Sequence, residues 1–278
     1  MAMTATAPGS IFVARSLPDA LAALADRGST GAAFAGGTWI MRAPIRHEPL
    51  AIGRIAELTA VTITSETIEI GAAVTHTALA AALDGLPEFA ALTTAASSSA
   101  NPAVRSAATI GGNLATTAFA AADCVPALLC LDADVEISSL GGRERISLER
   151  FLGIRSTLAP GHLLTRIIVP RNGRSSAHIR LPLRKAGDYP VAIVSLAISC
   201  GAAARIAVGS IEPVARRWER LEAALIGHPI APERLAQLAK DSAADFIGRD
   251  SVEVPAWYRL SVLPTLVRRA ATAVLAGA

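Results

Sequence analysis

The sequence predicts an α+β protein of two domains, and three observations predict it. The chain opens on a strand, helix, strand order. It passes into antiparallel hairpins with helices between them. Its last third runs three strands and then three helices. A length of 278 residues suits two domains. The polar stretch 171–178, RNGRSSAH, carries no apolar period and marks the boundary. The larger domain is therefore expected over 1–174, with one subdomain over about 1–56 and a second over about 57–174. The smaller, 175–278, is expected to hold a three-stranded antiparallel sheet and a three-helix bundle.

Each element has a local reason. Ile11-Phe12-Val13 reads as a short strand. Ser16 is an N-cap for a helix through Leu17-Pro18-Asp19, with proline in the first turn and Gly28 as its stop. Ala32 to Ala35 is a buried strand that runs into Gly36-Gly37-Thr38 and a helix-like segment, and Leu50-Ala51-Ile52 is the next strand. This order implies parallel pairing. Alternation at Val61, Ile63, Ile68 and Ile70 fits a hairpin. Helices are expected near Thr77–Leu83, Pro87–Ala96 and Val125–Leu131. Strands are expected at 134–138, at 143–146 around Gly141-Gly142, and at Leu163 to Val169, where Pro170 ends the run. Beyond the boundary come strands at Ile179–Leu183, Val191–Ser199 and Ala204–Ile211, then helices near Arg216–Ile226, Pro232–Phe246 and Trp257–Leu275. Arg216-Arg217, Arg220 and Arg268-Arg269 read as solvated helix faces.

Composition narrows the function classes. Hydrophobic residues are 52% and charged ones 18%, below the roughly 25% of an average soluble domain, which excludes a disordered chain. Mean hydropathy is +0.44. The longest charge-free run, 106–122, is broken by Gly111-Gly112-Asn113 and falls short of the about 20 apolar residues a membrane span requires. The N-terminus lacks a basic segment followed by an apolar run, so the expected location is cytoplasmic. Net charge is +3, the basic residues are scattered, and only Lys185 and Lys240 are lysines, which argues against nucleic acid as a partner. Cys124, Cys130 and Cys200 form no C-x-x-C and read as buried free thiols rather than ligands of zinc or an iron–sulfur cluster.

Two glycine loops carry the functional signal. Ala35-Gly36-Gly37-Thr38-Trp39 follows a buried strand. Thr109-Ile110-Gly111-Gly112-Asn113 lies in a charge-poor stretch between helical regions. Glycines let backbone approach a ligand closely, and consecutive N–H groups form anion-binding concavities. Two such loops suit the two halves of a pyrophosphate without lysine. Neither loop is G-x-G-x-x-G or a P-loop.

Taken in order, Ala35-Gly36-Gly37-Thr38, Ala108-Thr109-Ile110-Gly111-Gly112-Asn113-Leu114, Asp123 with Pro126-Ala127-Leu128-Leu129, and Arg184-Lys185-Ala186-Gly187-Asp188-Tyr189 form a set. It resembles the FAD-binding medium subunit of molybdenum hydroxylases, the family of carbon monoxide dehydrogenase and xanthine dehydrogenase. The resemblance covers about residues 10 to 272. It implies a two-subdomain FAD-binding domain of the vanillyl-alcohol-oxidase/PCMH type, followed by the family's smaller C-terminal domain. It implies FAD as cofactor, with the pyrophosphate cradled by backbone N–H groups of Gly36, Gly37, Thr38, Gly111 and Gly112, and with Asn113 and Thr109 beside it. Asp123 would accept from ribityl or ribose hydroxyls with no cationic partner required. Leu163-Leu164-Thr165 would pass the isoalloxazine. Trp39 stands where the family has a small polar residue or Asp, Asn113 to Asp123 is one residue longer than the family spacing, and Leu181 or Pro182, next to Arg180, stands where a polar residue faces the ring.

The implied activity is electron transfer as an oxidoreductase component. A large molybdopterin-binding subunit and a small [2Fe-2S] subunit would be the partners, as a dimer of heterotrimers, with those cofactors on the partners. A stand-alone FAD reductase or oxidase of the same fold, such as the cell-wall-precursor reductases, and a flavin-less interaction module are the alternatives.

The other candidates read as structure. Ser97-Ser98-Ser99 is a helix end and polar turn. His47, His76, His162, His178 and His228 are too dispersed for a metal site, and His76 reads as an exposed polar residue. Asp132 and Asp134 mark a helix-to-strand turn, and Trp257-Tyr258 reads as packing.

Overall fold

A computed structural model describes residues 11–44, 48–184, 188–199 and 204–277. His47, Cys200 and the Lys185–Gly187 part of the fourth motif lie outside the described residues.

Three sheets follow one another along the chain. The first is parallel, in order β1-β3-β2, from β1 (Phe12–Val13), β2 (Gly31–Phe34) and β3 (Glu48–Ala51). The helix Leu17–Arg27 forms where expected, with Ser16 Oγ accepting from Asp19 N–H at 3.2 Å and Gly28 at φ 54 as its stop. Its buried leucines and alanines pack on this sheet. The helix-like segment after Thr38 is only a 3-10 turn, Ile40–Arg42.

The second sheet is antiparallel, in order β4-β5-β8-β6-β7: β4 (Val61–Ile63), β5 (Thr67–Gly71), β6 (Asp134–Ser139), β7 (Gly142–Ser147) and β8 (Leu163–Pro170). Helices His76–Ala82, Ala90–Ser98, Cys124–Cys130 and Leu148–Ile154 bury their apolar residues with this sheet. Leu148–Ile154 was absent from the sequence reading, although Ser147 caps it by accepting from Arg150 N–H at 3.2 Å.

The third sheet is antiparallel, in order β12-β11-β10-β9: β9 (Ser175–Pro182), β10 (Pro190–Ile198), β11 (Ala204–Gly209) and β12 (Arg216–Arg217). Helices Ala90–Ser98 and Cys124–Cys130 lie against one side of it. Pro232–Asp241 and Leu263–Ala276 pack into its other core. Coverage on both faces explains why β10 is buried along nearly its whole length.

Several expectations change here. β9 begins inside the polar stretch, because its inward polar residues are satisfied. Ser176 Oγ donates to Glu88 C=O at 2.8 Å, and His178 Nδ1 lies 2.9 Å from Ser195 Oγ. Arg216 and Arg217 form β12 rather than a solvated helix face, and Arg216 stacks over Phe246 at 4.1 Å. The three-stranded sheet thus gains a short fourth strand. The last predicted helix is two, Ala256–Ser261 and Leu263–Ala276, with Pro264 in the first turn of the second. Trp257 is 68% exposed, so it does not serve as packing. Asp132 does sit at the helix-to-strand turn, at φ 54. Cys124 and Cys130 are free and buried, and burial pushes both thiols up.

Among the described residues, no helix is long and apolar enough to cross a membrane, and no three His, Cys, Asp or Glu residues group as a metal site.

Candidate functional site

The two glycine segments meet at a cleft. β2 delivers the loop Gly36–Trp39 to one wall. The second segment is not a loop. Thr109 caps a helix, Ile110–Ala115, by accepting from Gly112 N–H at 3.2 Å. Glycines are poor helix formers, and packing overrides that preference here. Ile110 and Leu114 are buried one turn apart, and a Cβ on Gly111 would sit 2.6 Å from the Ala72 carbonyl oxygen. Gly36 ties the two walls together. A Cβ there would lie 1.7 Å from the Ala107 carbonyl oxygen, so only glycine lets the loop lie against the approach to Thr109. Gly37, at φ +69, turns the loop.

The amides divide unevenly. Ile110 N–H donates to Val74 C=O at 2.9 Å, Gly111 N–H to Ala72 C=O at 2.8 Å and Asn113 N–H to Thr109 C=O at 2.9 Å. With Gly112 bonded to its cap, the helix start has no spare donor. The expectation that Gly111 and Gly112 N–H groups would cradle an anion is therefore not met by this arrangement. The amides of Gly36, Gly37, Thr38 and Trp39 make no hydrogen bond among the described residues. Asn113 Oδ1 is buried and unpartnered.

The main cleft has a volume of about 560 Å³. Gly36, Gly37, Thr38 and Trp39 line it with Thr109, Gly112, Asn113 and Asp123. A second cavity of about 210 Å³ shares Ala35, Thr109 and Gly112 with it and is lined further by Gly111, Phe151, Arg155, Leu163 and Leu164. Leu163 and Leu164 thus line the smaller cavity and not the main cleft. Ile110 lines neither. Burial lowers the Arg155 pKa, and Arg155 Nη1 donates to the Leu114 carbonyl. No carboxylate pairs with Arg155 among the described residues.

Asp123 differs from expectation. Its side chain is 4% exposed and it is not free of cations: Arg180 Nε, from β9, donates to its Oδ1 at 2.9 Å. The His178 Nε2 atom stands 3.6 Å from the same oxygen, too far for a hydrogen bond. Arg180 Nη2 also donates to Asp188 C=O at 2.8 Å.

The mouth of the cleft is aromatic. Trp39 and Phe119 have centroids 5.0 Å apart, and Phe119 meets Tyr189 edge-on at 5.4 Å. Arg42 Nη1 donates to Tyr189 Oη at 2.6 Å and its guanidinium lies 4.9 Å from the Trp39 ring.

Sequence reasoning missed His76, Ser99, Phe119, Arg180 and Tyr189 as lining residues. His76 is 3% exposed, not exposed, and its Nδ1 lies 2.6 Å from Ser99 Oγ. Burial lowers its pKa to about 4. The Thr75-His76 pair resembled an ordinary helix start. Nothing in one sequence indicates that strand register would carry Arg180 to Asp123.

The residues suit a dinucleotide flavin. Free amides meet the need of a pyrophosphate, the orphaned Asn113 Oδ1 and the buried carboxylate accept from hydroxyls, and two cavities flank one glycine strip.

Comparison with known proteins agrees. Residues 5–172 match the family described as the FAD binding domain in molybdopterin dehydrogenase, and residues 178–274 match the CO dehydrogenase flavoprotein C-terminal domain. The chain is 30% identical to the 6-hydroxypseudooxynicotine dehydrogenase complex subunit alpha of Paenarthrobacter nicotinovorans, over 92% of this chain and 91% of that one. It is 27% identical to the xanthine dehydrogenase FAD-binding subunit of Escherichia coli O157:H7, over 95% of each. A solved carbon monoxide dehydrogenase from Hydrogenophaga pseudoflava, which lacks the Mo-pyranopterin moiety, superposes with a TM-score of 0.87 at 26% identity, over 96% of this chain and 97% of that one. The α+β architecture and the FAD cofactor stand as expected, and the chain belongs to the FAD-binding medium subunits of the molybdenum hydroxylase family.

Proposed function

We propose that this chain is the electron-transfer flavoprotein subunit of a cytoplasmic heterotrimeric molybdenum hydroxylase, assembled as a dimer of heterotrimers. A large subunit would carry the molybdopterin cofactor and a small one the [2Fe-2S] clusters. The domain division at 174/175 would leave the flavin on the amino-terminal domain, with Arg180 and Tyr189 of the second domain closing the cleft. FAD, when bound, supplies the redox chemistry, taking up and releasing electrons.

The protein's part is binding, orientation and exclusion of water. The amides of Gly36, Gly37, Thr38 and Trp39 would hold the pyrophosphate. Thr109 and Gly112 would form the strip beneath it, and the Asn113 amide would reach it from the side. Asp123 would hold a hydroxyl with the carboxylate oxygen that Arg180 leaves free. Ala35, Gly111, Leu163 and Leu164 would wall the smaller ring pocket, with Ile110 as the buried anchor of the strip and no direct contact. The larger cleft would take the isoalloxazine against Trp39, so Leu163 and Leu164 would stand at the adenine end and not, as the resemblance implies, at the isoalloxazine.

The observation that carries this reading is a run of four amides unpaired among the described residues, in the same cleft as the orphaned Asn113 Oδ1. The test is purification of the tagged full chain from its host. FAD together with a large molybdopterin subunit and a cysteine-rich small subunit is expected. A flavin-containing chain with no partner would refute the subunit assignment.

A further inference from the structure

We propose that His76 is a cofactor-contact residue, presenting its free Nε2 to the hydroxyl-bearing ribityl chain of the flavin nucleotide, with Ser99 as the residue that orients the ring. This rests on the FAD reading and adds a residue outside both glycine segments.

The placement is local in origin. Thr75 caps the helix His76–Ala82 by accepting from Ala78 N–H at 3.2 Å. His76 N–H donates to Ala108 C=O at 2.9 Å and Thr75 bridges to Thr109, so the imidazole is fixed beside the Thr109 cap. Ser99, the cap residue after the helix Ala90–Ser98, meets Nδ1 at 2.6 Å. The other nitrogen, Nε2, is buried and has no hydrogen-bond partner among the described residues, although the Thr109 backbone acts on the ring and the residue lines the cleft. An unsatisfied ring nitrogen in such a position is costly unless a ligand or water meets it.

The chemistry selects the ligand group. Burial keeps the ring neutral, and the charge of Asp123 acts on it. A neutral imidazole beside a carboxylate is a poor site for phosphate, and the unpaired amides of the Gly36 loop already serve that purpose. A hydroxyl both donates and accepts, so it matches either tautomer that Ser99 selects. The flexible polyol between the ring and the pyrophosphate is the part of FAD rich in hydroxyls.

The test compares FAD with ADP, which has the pyrophosphate and adenosine but no ribityl chain. Dissociation constants are measured on the flavin-stripped full chain by flavin fluorescence for FAD and by competition for ADP. His76→Leu is expected to weaken FAD roughly five- to thirty-fold while changing ADP less than about two-fold. Ser99→Ala is expected to weaken FAD selectively by a smaller factor. His76→Gln, which keeps a polar end, is expected to recover part of the loss and carries the test if the leucine variant does not fold. Unchanged FAD affinity, or equal weakening of FAD and ADP, overturns the assignment. Failure of the wild-type chain to bind FAD at all overturns the FAD reading instead.

Discussion

Arg180 Nε donates to Asp123 Oδ1 at 2.9 Å, so a strand of the C-terminal sheet holds the carboxylate at the floor of the cleft. Both side chains are largely buried, at 10% and 4% exposure. Removing one member of such a pair leaves a charge uncompensated, at a cost of about 3 kcal/mol. Arg180→Leu is therefore expected to lower the urea midpoint of the flavin-stripped chain and to loosen FAD. Adding Asp123→Asn to it should restore much of the stability but not the flavin affinity. Recovery of both would show that the carboxylate does not contact the cofactor.

Gly36 and Gly112 separate two roles within the glycine strip. Gly36→Ala places a Cβ 1.7 Å from a backbone oxygen, whereas a Cβ on Gly112 stands 3.1 Å from the Thr109 hydroxyl. The first must shift the loop and is expected to abolish flavin retention. The second is expected to be milder as alanine and severe as Gly112→Val, which would push on the cap. Flavin-to-protein absorbance ratios of the purified variants check the ranking, and equal retention by Gly36→Ala and wild type contradicts it.

His76 gives stability a pH dependence of known sign. Burial lowers its pKa from the usual 6.5 to about 4, Asp123 and the Thr109 backbone oppose the shift, and Arg105 adds to it. Between those values the unfolded chain binds more protons than the folded one. Stability therefore rises with pH across this window and is lost as pH falls through it. Between pH 7 and pH 5 the wild-type chain should lose about 2 kcal/mol more than His76→Gln. Chemical denaturation at both pH values measures the difference, and equal losses would show a histidine that titrates normally in the fold.

Asp132 joins the helical layer to the C-terminal sheet. Its carboxylate lies 2.6 Å from Arg174 Nη1 and 3.2 Å from Arg205 Nε, and Arg205 and Arg217 both reach on to Glu222. Its side chain is 30% exposed, so solvent screens part of the interaction. Asp132→Asn keeps a residue tolerant of positive φ and is expected to cost about 1–2 kcal/mol, less in high salt. A loss independent of salt would show that the charge of Asp132 is not what holds this network together.

The elements with short-range signals were legible in the sequence. Ser16 and Gly28 bracket their helix, and the parallel β1–β3–β2 pairing follows from strand and helix order. The two glycine segments were legible as a pair and do line one cleft, but the secondary structure of the second was not legible. Ile110-Gly111-Gly112-Asn113 is helical, with Thr109 as its cap, because of contacts with Ala72 and Val74, far from it in sequence. The body of β9 was legible at Ile179–Leu183, but its start was hidden because Ser176 and His178 are polar yet buried, and their hydrogen-bond partners come from other elements. Arg180 at Asp123 and Tyr189 at Arg42 depend on how the third sheet docks, which one sequence does not encode locally.

The most direct measurement of the central claim is the FAD content of the purified full chain after heat release, for wild type, Gly36→Ala and Asp123→Ala. The structure leads us to expect about one FAD per wild-type chain, in line with a single strip shared by two cavities, and little in either variant. Full FAD content in both variants would contradict the assignment of this cleft as the flavin site.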